Sequence, residues 1–140
     1  MNTAATTIAP TSEGTPGTSW LALAARLMLA AIFLLAGLNK ITDPASTIGY
    51  IASVGLPAPT LAYWGAVAIE VLGALTLIAG FKTRMTALAL AAFSLVTAFV
   101  FHNQIGDQTQ FVMFFKNIAI AGGLLQLAAF GPGTISLDRK

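Results

Sequence analysis

The sequence contains no cysteine and very little charge. Because Cys is absent from all 140 residues, the chain can form no disulfide, thiolate metal site, iron–sulfur cluster or dithiol redox centre. Redox chemistry on this chain would therefore need a cofactor held in another way. Asp, Glu, Lys and Arg together make up only 9% of the residues, whereas soluble domains carry about a quarter. This shortage of charge excludes an ordinary soluble domain.

Histidine and clustered basic residues are also scarce. His102 is the lone histidine, and a metal site would need further ligands at suitable spacing, so we predict no metal centre. Haem with two histidine ligands would require a second chain. The net charge of +2 comes from few groups, with no Lys/Arg stripe that could follow phosphates. Nucleic-acid binding is therefore not expected.

Apolar residues make up 56% of the chain and lie in four long runs, at residues 20–38, 63–81, 85–101 and 111–130. Each run is close to the roughly 20 residues that cross about 30 Å of hydrocarbon as a helix. We therefore predict an all-α fold, a four-helix transmembrane bundle over residues 20–131. Residues 1–19, rich in Thr, Ala, Gly and Pro, are predicted to be a disordered tail, and residues 132–140 a short C-terminal tail. Since the first run has no basic segment before it, we expect no cleaved signal peptide.

The first connection contains signals for a helix of its own. Asp43 followed by Pro44 is typical of a helix start, and Gly55 followed by Pro57 is typical of a stop. The pattern between them predicts a short interfacial helix lying on the membrane face. A solvated loop is the alternative.

Basic residues in the connections predict the orientation of the chain. Lys82, Arg84, Arg139 and Lys140 fall on the side of the termini, and Lys and Arg are retained on the cytoplasmic side during insertion. The other side has only Lys40, in the first connection. Both termini are therefore expected to be cytoplasmic, and the four basic residues are assigned as topology determinants.

An ionisable residue interrupts the second run. Glu70 shares a helical stripe with small residues, and Arg26, His102 and Lys116 lie on comparable stripes of the other three runs. Because an unpaired buried carboxylate is costly, we expect Lys116, Arg26 or both to compensate Glu70. With Asn117 beside Lys116, these residues form the predicted cluster of buried charge or ligand-binding groups. The alternatives are an ion pair that only fixes helix register, and an Arg26 that reaches toward the cytoplasmic face.

The order and spacing of several motifs resemble the DoxX family of bacterial membrane proteins over nearly everything after the first tail. The motifs are Arg26-Leu27, Gly37-Leu38-Asn39-Lys40, Gly55-Leu56-Pro57, Glu70, Gly80-Phe81-Lys82-Thr83-Arg84, His102 and Phe115-Lys116-Asn117. The resemblance implies a four-helix bundle in the bacterial inner membrane. It also implies an association with redox chemistry, since relatives include a subunit of a thiosulfate:quinone oxidoreductase, while others are assembly or partner subunits.

Three functions fit these observations. The first is a redox-associated subunit that binds an apolar ligand such as a quinone, with Glu70 and Lys116 at its polar head and no covalently bound cofactor. The second is a non-catalytic assembly or scaffold protein. The third is a carrier of a small solute or protons, which would work as a dimer. No self-contained catalytic motif is present, so enzymatic activity would be that of an accessory subunit. The expected partners are the lipid bilayer, a membrane or redox protein, and a second copy of this chain.

Overall fold

The computed structural model describes residues 16–138, which form five α-helices. Four of them are long and apolar enough to cross a membrane, and residues 16–138 contain no strand. The prediction of an all-α bundle with four spanning helices is therefore confirmed. The helices are α1 (Pro16–Thr42), α2 (Pro44–Ser53), α3 (Pro59–Ala79), α4 (Thr83–Phe101) and α5 (Gln108–Phe130).

Helix α1 is longer at both ends than the sequence pattern predicts. It begins at Pro16, where a missing N–H costs nothing, so residues 16–19 of the predicted tail are its first turn. Residues 1–15 lie outside the described part of the chain. At the other end α1 continues to Thr42, so Lys40 belongs to a helix and not to a connection. This extension decides which residues meet inside the bundle.

Helix α2 confirms the helix predicted in the first connection. The side chain of Asp43 accepts a hydrogen bond from the Ser46 amide at 3.1 Å, which is the predicted N-cap. Ile51 of α2 is buried, and the Tyr50 hydroxyl donates to the carbonyl of Phe101 at 2.9 Å. Helix α2 therefore packs mainly on α3 and contacts the end of α4 through Tyr50. Its position at a membrane surface stays a prediction.

The four long helices pack as two antiparallel pairs, α1 with α3 and α4 with α5. Small residues allow close approach: a Cβ added to Gly73 of α3 would lie 2.9 Å from a methyl of Leu90 in α4. The predicted inward stripes of α1 and α4 are largely buried, but α5 buries a different face from the one predicted. The buried residues include Arg26, Ala30, Phe33 and Gly37 in α1, Ala87, Ala91, Ser94 and Ala98 in α4, and Ala121, Leu124 and Leu127 in α5.

Residues 131–138 form a non-helical segment, here called the C-terminal strap, that crosses the end of α3 and the start of α4. The amide of Leu137 donates to the carbonyl of Ala79 at 3.1 Å. The carboxylate of Asp138 accepts from the amides of Lys82 and Thr83, the latter at 2.9 Å. Asp138 therefore caps α4 from a distant part of the sequence.

The bundle has two ends. The terminal face contains the start of α1, the turn between α3 and α4, and the C-terminal strap. The loop face contains α2 and the connection at residues 102–107. Lys82 and Arg84 lie on the terminal face, whereas Arg139 and Lys140, the other two predicted topology determinants, lie outside the described residues.

Candidate functional site

Two charged side chains are buried among residues 16–138, and they lie at opposite ends of the α1–α3 pair. Arg26 is 1% exposed and Glu70 is 4% exposed. Arg26 contacts the terminal face, whereas Glu70 lies toward the loop face beside the last turns of α1. The two charges therefore do not share one layer, and the predicted pairing of Glu70 with Arg26 is wrong.

Lys40 is the partner of Glu70. Its Nζ lies 2.9 Å from Glu70 Oε1, and the side chains are 26% and 6% exposed. Gly37, one turn before Lys40, makes this possible: an added Cβ there would be 2.7 Å from Val71 Cγ2 and 3.3 Å from Glu70 Cβ. Because α1 and α3 approach so closely at this glycine, the ammonium of Lys40 reaches the carboxylate. Glu70 points inward, as its helical phase predicts.

The pair has apolar neighbours, and one of its oxygen atoms has no hydrogen-bond partner among the described residues. Tyr63, Val67 and Ile51 form a buried cluster between α2 and α3, and the Tyr63 hydroxyl donates to the Lys40 carbonyl at 3.1 Å. Glu70 Oε2 is buried and has no hydrogen-bond partner among the described residues. A buried oxygen without a donor is costly. Glu70 therefore has one hydrogen-bond acceptor that residues 16–138 leave unused.

Arg26 has a separate set of partners at the terminal face. Its Nη1 donates to the Leu77 carbonyl at 3.2 Å, and its Nη2 donates to the carbonyl of Ile135 in the C-terminal strap. Gly80, at φ 68°, leaves room for the guanidinium, which a side chain at that position would overlap. Arg26 thus binds one carbonyl near the end of α3 and one carbonyl of the strap, which it holds in place. Its contacts are those of a structural residue.

Lys116, Asn117 and His102 do not join the Glu70 site. Lys116 is exposed, with its Nζ 3.0 Å from Met113 Sδ, and the predicted Lys116–Glu70 pair is wrong because α5 buries the face that starts one residue further along. Asn117 donates to the carbonyl of Met113 at 2.9 Å. His102 Nδ1 lies 2.8 Å from Oε1 of Gln110, at the loop face. Each of these bonds stays within α5 or joins α4 to α5.

The charge on the C-terminal strap is also stabilised. Partial burial raises the pKa of Asp138, but contacts with Thr83 and Lys82 and the nearby charge of Arg26 outweigh that effect. The pKa of this carboxyl is therefore lowered, and the charged form is favoured where it caps α4. The part of the chain that the structure describes has no group of three or more His, Asp or Glu placed to hold a metal ion.

Sequence reasoning missed Lys40 and Asp138. Lys40 follows Gly37 by three residues, so it extends the stripe of α1 by one turn. Placing the end of α1 before Lys40 concealed this signal. Asp138 has no local signal at all, since its partners are 55 and 56 residues away in sequence.

Comparison with known proteins gives one family and two similar proteins. Residues 21–103 match the DoxX family. The chain is 42% identical over 117 residues to "Inner membrane protein YqjF" of Escherichia coli (strain K12), covering 84% of this chain and 88% of that protein. It is 40% identical over 125 residues to "Inner membrane protein YphA" of the same organism, covering 86% and 89%. No solved structure matches.

Proposed function

The chain belongs to the DoxX family of integral membrane proteins, and we propose that it binds an apolar ligand with a polar carbonyl head, such as a quinone, at the Lys40–Glu70 pair. Four apolar helices and two inner-membrane relatives fit a multi-pass membrane protein. One observation supports the ligand proposal above the others: Glu70 Oε1 binds Lys40, while the buried Oε2 has no partner among residues 16–138.

The two charged groups match the two forms of a quinone head. A lysine ammonium has three donors, and one of those of Lys40 is directed at Glu70. Another can donate to a quinone carbonyl, and Glu70 Oε2 can accept from a quinol hydroxyl. The buried cluster of Ile51, Tyr63 and Val67 makes the surroundings of the pair apolar. Charged groups are retained inside membranes chiefly where they serve a ligand, an ion or a proton.

A redox role would require a partner protein for this chain. The sequence has no cysteine, so electrons would reach the bound ligand from another protein. We therefore propose an accessory subunit of a membrane oxidoreductase, with Lys40 and Glu70 orienting the ligand head. Lys40 takes the role that the sequence pattern assigned to Lys116.

Ligand content in purified protein tests this function. Wild type, Glu70→Gln and Lys40→Met are purified in a mild detergent, and extracted quinones are quantified by mass spectrometry. Loss of one hydrogen bond to a charged group corresponds to roughly a tenfold fall in affinity, so both variants should retain much less quinone. Lys116→Gln is the matched control, because it removes an exposed lysine from α5 and should retain the wild-type amount. Equal quinone content in all four proteins rejects the proposal.

An assembly or scaffold role is the second candidate, favoured by the way buried charges join distant elements. Lys40–Glu70 ties α1 to α3, and Arg26 ties both to the C-terminal strap. If these charges serve only packing, no small molecule copurifies. The same variants would then lower the recovery of a cross-linked membrane partner in proportion to their loss of stability.

A further inference from the structure

A cavity lies on the terminal face, apart from the Lys40–Glu70 pair. It has a volume of about 900 Å³ and opens between the start of α1, the turn between α3 and α4, and the C-terminal strap. Ligand pockets commonly have volumes of about 300–1,000 Å³. Its lining includes Lys82, Thr83, Arg84, Met85, Phe130 and Asp138.

The walls of this cavity carry more positive than negative charge. Lys82 lies with its Nζ 5.7 Å from the centre of the Phe81 ring and makes no ion pair among the described residues. Arg84 donates through Nη1 to the carbonyls of Ala128 and Ala129, at 3.2 and 3.0 Å, and its Nε and Nη2 have no hydrogen bond to the described residues. Asp138, the one carboxylate among the described lining residues, already accepts two backbone hydrogen bonds.

A buried hydroxyl in the same lining has no well-formed hydrogen bond to residues 16–138. Thr83 is 0% exposed, and its amide donates to Asp138 at 2.9 Å. Its Oγ1 lies close enough to the same carboxylate to help lower its pKa, but in a geometry that completes no hydrogen bond with the described residues. A phosphate oxygen or a glycerol hydroxyl in the cavity would satisfy this group. The unsatisfied hydroxyl indicates a polar ligand independently of the basic residues.

We propose that this cavity binds the headgroup of an anionic phospholipid, with the phosphate between Lys82 and Arg84 and a hydroxyl of the headgroup toward Thr83. Met85 and Phe130 line the cavity and are largely exposed, so acyl chains can continue along them into the bilayer. Basic pockets between membrane helices on the cytoplasmic side bind such headgroups. The basic connections predict that the terminal face is cytoplasmic.

Binding of short-chain phosphatidylglycerol to the delipidated full-length protein in neutral detergent tests this site, measured by native mass spectrometry. Removing one basic group at such a surface weakens binding about fivefold, so Lys82→Gln should bind phosphatidylglycerol about fivefold more weakly than wild type. Thr83→Val keeps the shape of the side chain and should also weaken binding. Phosphatidylethanolamine of the same chain length should bind less tightly than phosphatidylglycerol.

Two variants serve as matched controls. Ser94→Ala removes another buried hydroxyl of α4 without a partner among the described residues, outside the cavity. Lys116→Gln removes an exposed lysine of α5, and both controls should bind like wild type. Equal binding of the two lipids, or equal weakening by Lys82→Gln and Lys116→Gln, overturns the proposal. Displacement of the lipid by inorganic phosphate at the same concentration would also overturn it, since the site would then recognise a free anion.

Discussion

Replacing Lys40 with methionine removes the ammonium but keeps an unbranched side chain of similar length. Glu70, whose side chain is 6% exposed, then stays in the bundle without its partner, which lies at 2.9 Å in the native protein. Breaking a buried pair in this way typically costs about 3–5 kcal/mol. Because the Lys40 side chain is 26% exposed, part of its charge is screened, and we expect the lower limit, about 3 kcal/mol.

A second single variant and a double variant separate the stabilising effect of the pair from the effects of its two residues. Glu70→Leu leaves a lysine that can reach water at the loop face, so its cost should be smaller, about 1–2 kcal/mol. The double variant Lys40→Met/Glu70→Leu replaces both charges by apolar groups, which is often neutral for a buried pair. It should therefore be more stable than Lys40→Met alone, with a coupling energy of about 2 kcal/mol or more.

The assay is unfolding of quinone-free protein in mixed micelles, followed by the loss of helical circular dichroism. Removing the ligand first matters because a bound ligand adds its own stabilisation. If Lys40→Met costs less than about 0.5 kcal/mol, or if the two single effects simply add, the Lys40–Glu70 pair does not stabilise the bundle. The assignment of Lys40 as partner would then be wrong.

Three further predictions concern the helix contact and the C-terminal strap. Gly37→Ala should cost about 1–3 kcal/mol in the same unfolding assay, because the added Cβ would overlap α3. The control Gly65→Ala, at a position with open space around it, should not destabilise the protein. Equal effects of the two variants would contradict the close approach of α1 and α3. In the folded protein the pKa of Asp138 is lowered, so its carboxylate stabilises the fold fully at pH values above the usual aspartate pKa of about 3.9. This stabilisation is lost as the pH falls through the pKa of Asp138 in the folded protein. Proteolysis of the strap should therefore increase only in acid, and Asp138→Asn should abolish that pH dependence; a strap equally resistant at every pH would oppose this. Arg26→Met should make the strap protease-sensitive at neutral pH, and unchanged cleavage would show that other contacts hold it.

Much of the fold could be predicted because it follows from local patterns. Four apolar runs, the Asp43 cap and the small-residue stripes of α1 and α4 depend only on residues close in sequence. Predictions from such patterns stay correct even when a helix end is misplaced by a few residues. The inward direction of Glu70 could be predicted for the same reason, since helical phase is a local property.

The partner of Glu70 could not be predicted because it depends on one helix end and on one helix rotation. Ending α1 early removed Lys40 from consideration, and a rotation of α5 by one residue, about 100°, moved Lys116 from the interior to the surface. The cap that Asp138 provides depends on the path of a non-helical segment. No periodic pattern encodes that path.

The hydrogen bond between Arg26 and Ile135 has a consequence for biogenesis. The two residues are 109 positions apart, so the ribosome makes the guanidinium long before it makes the carbonyl that receives it. The guanidinium also donates to the Leu77 carbonyl of α3, but it lacks its second acceptor, and has to stay partly hydrated near the membrane surface, until the last helix has inserted. Shortened chains fused to reporters, as used to map topology, would therefore hold the first helix in an immature state, shifted toward water compared with the finished bundle.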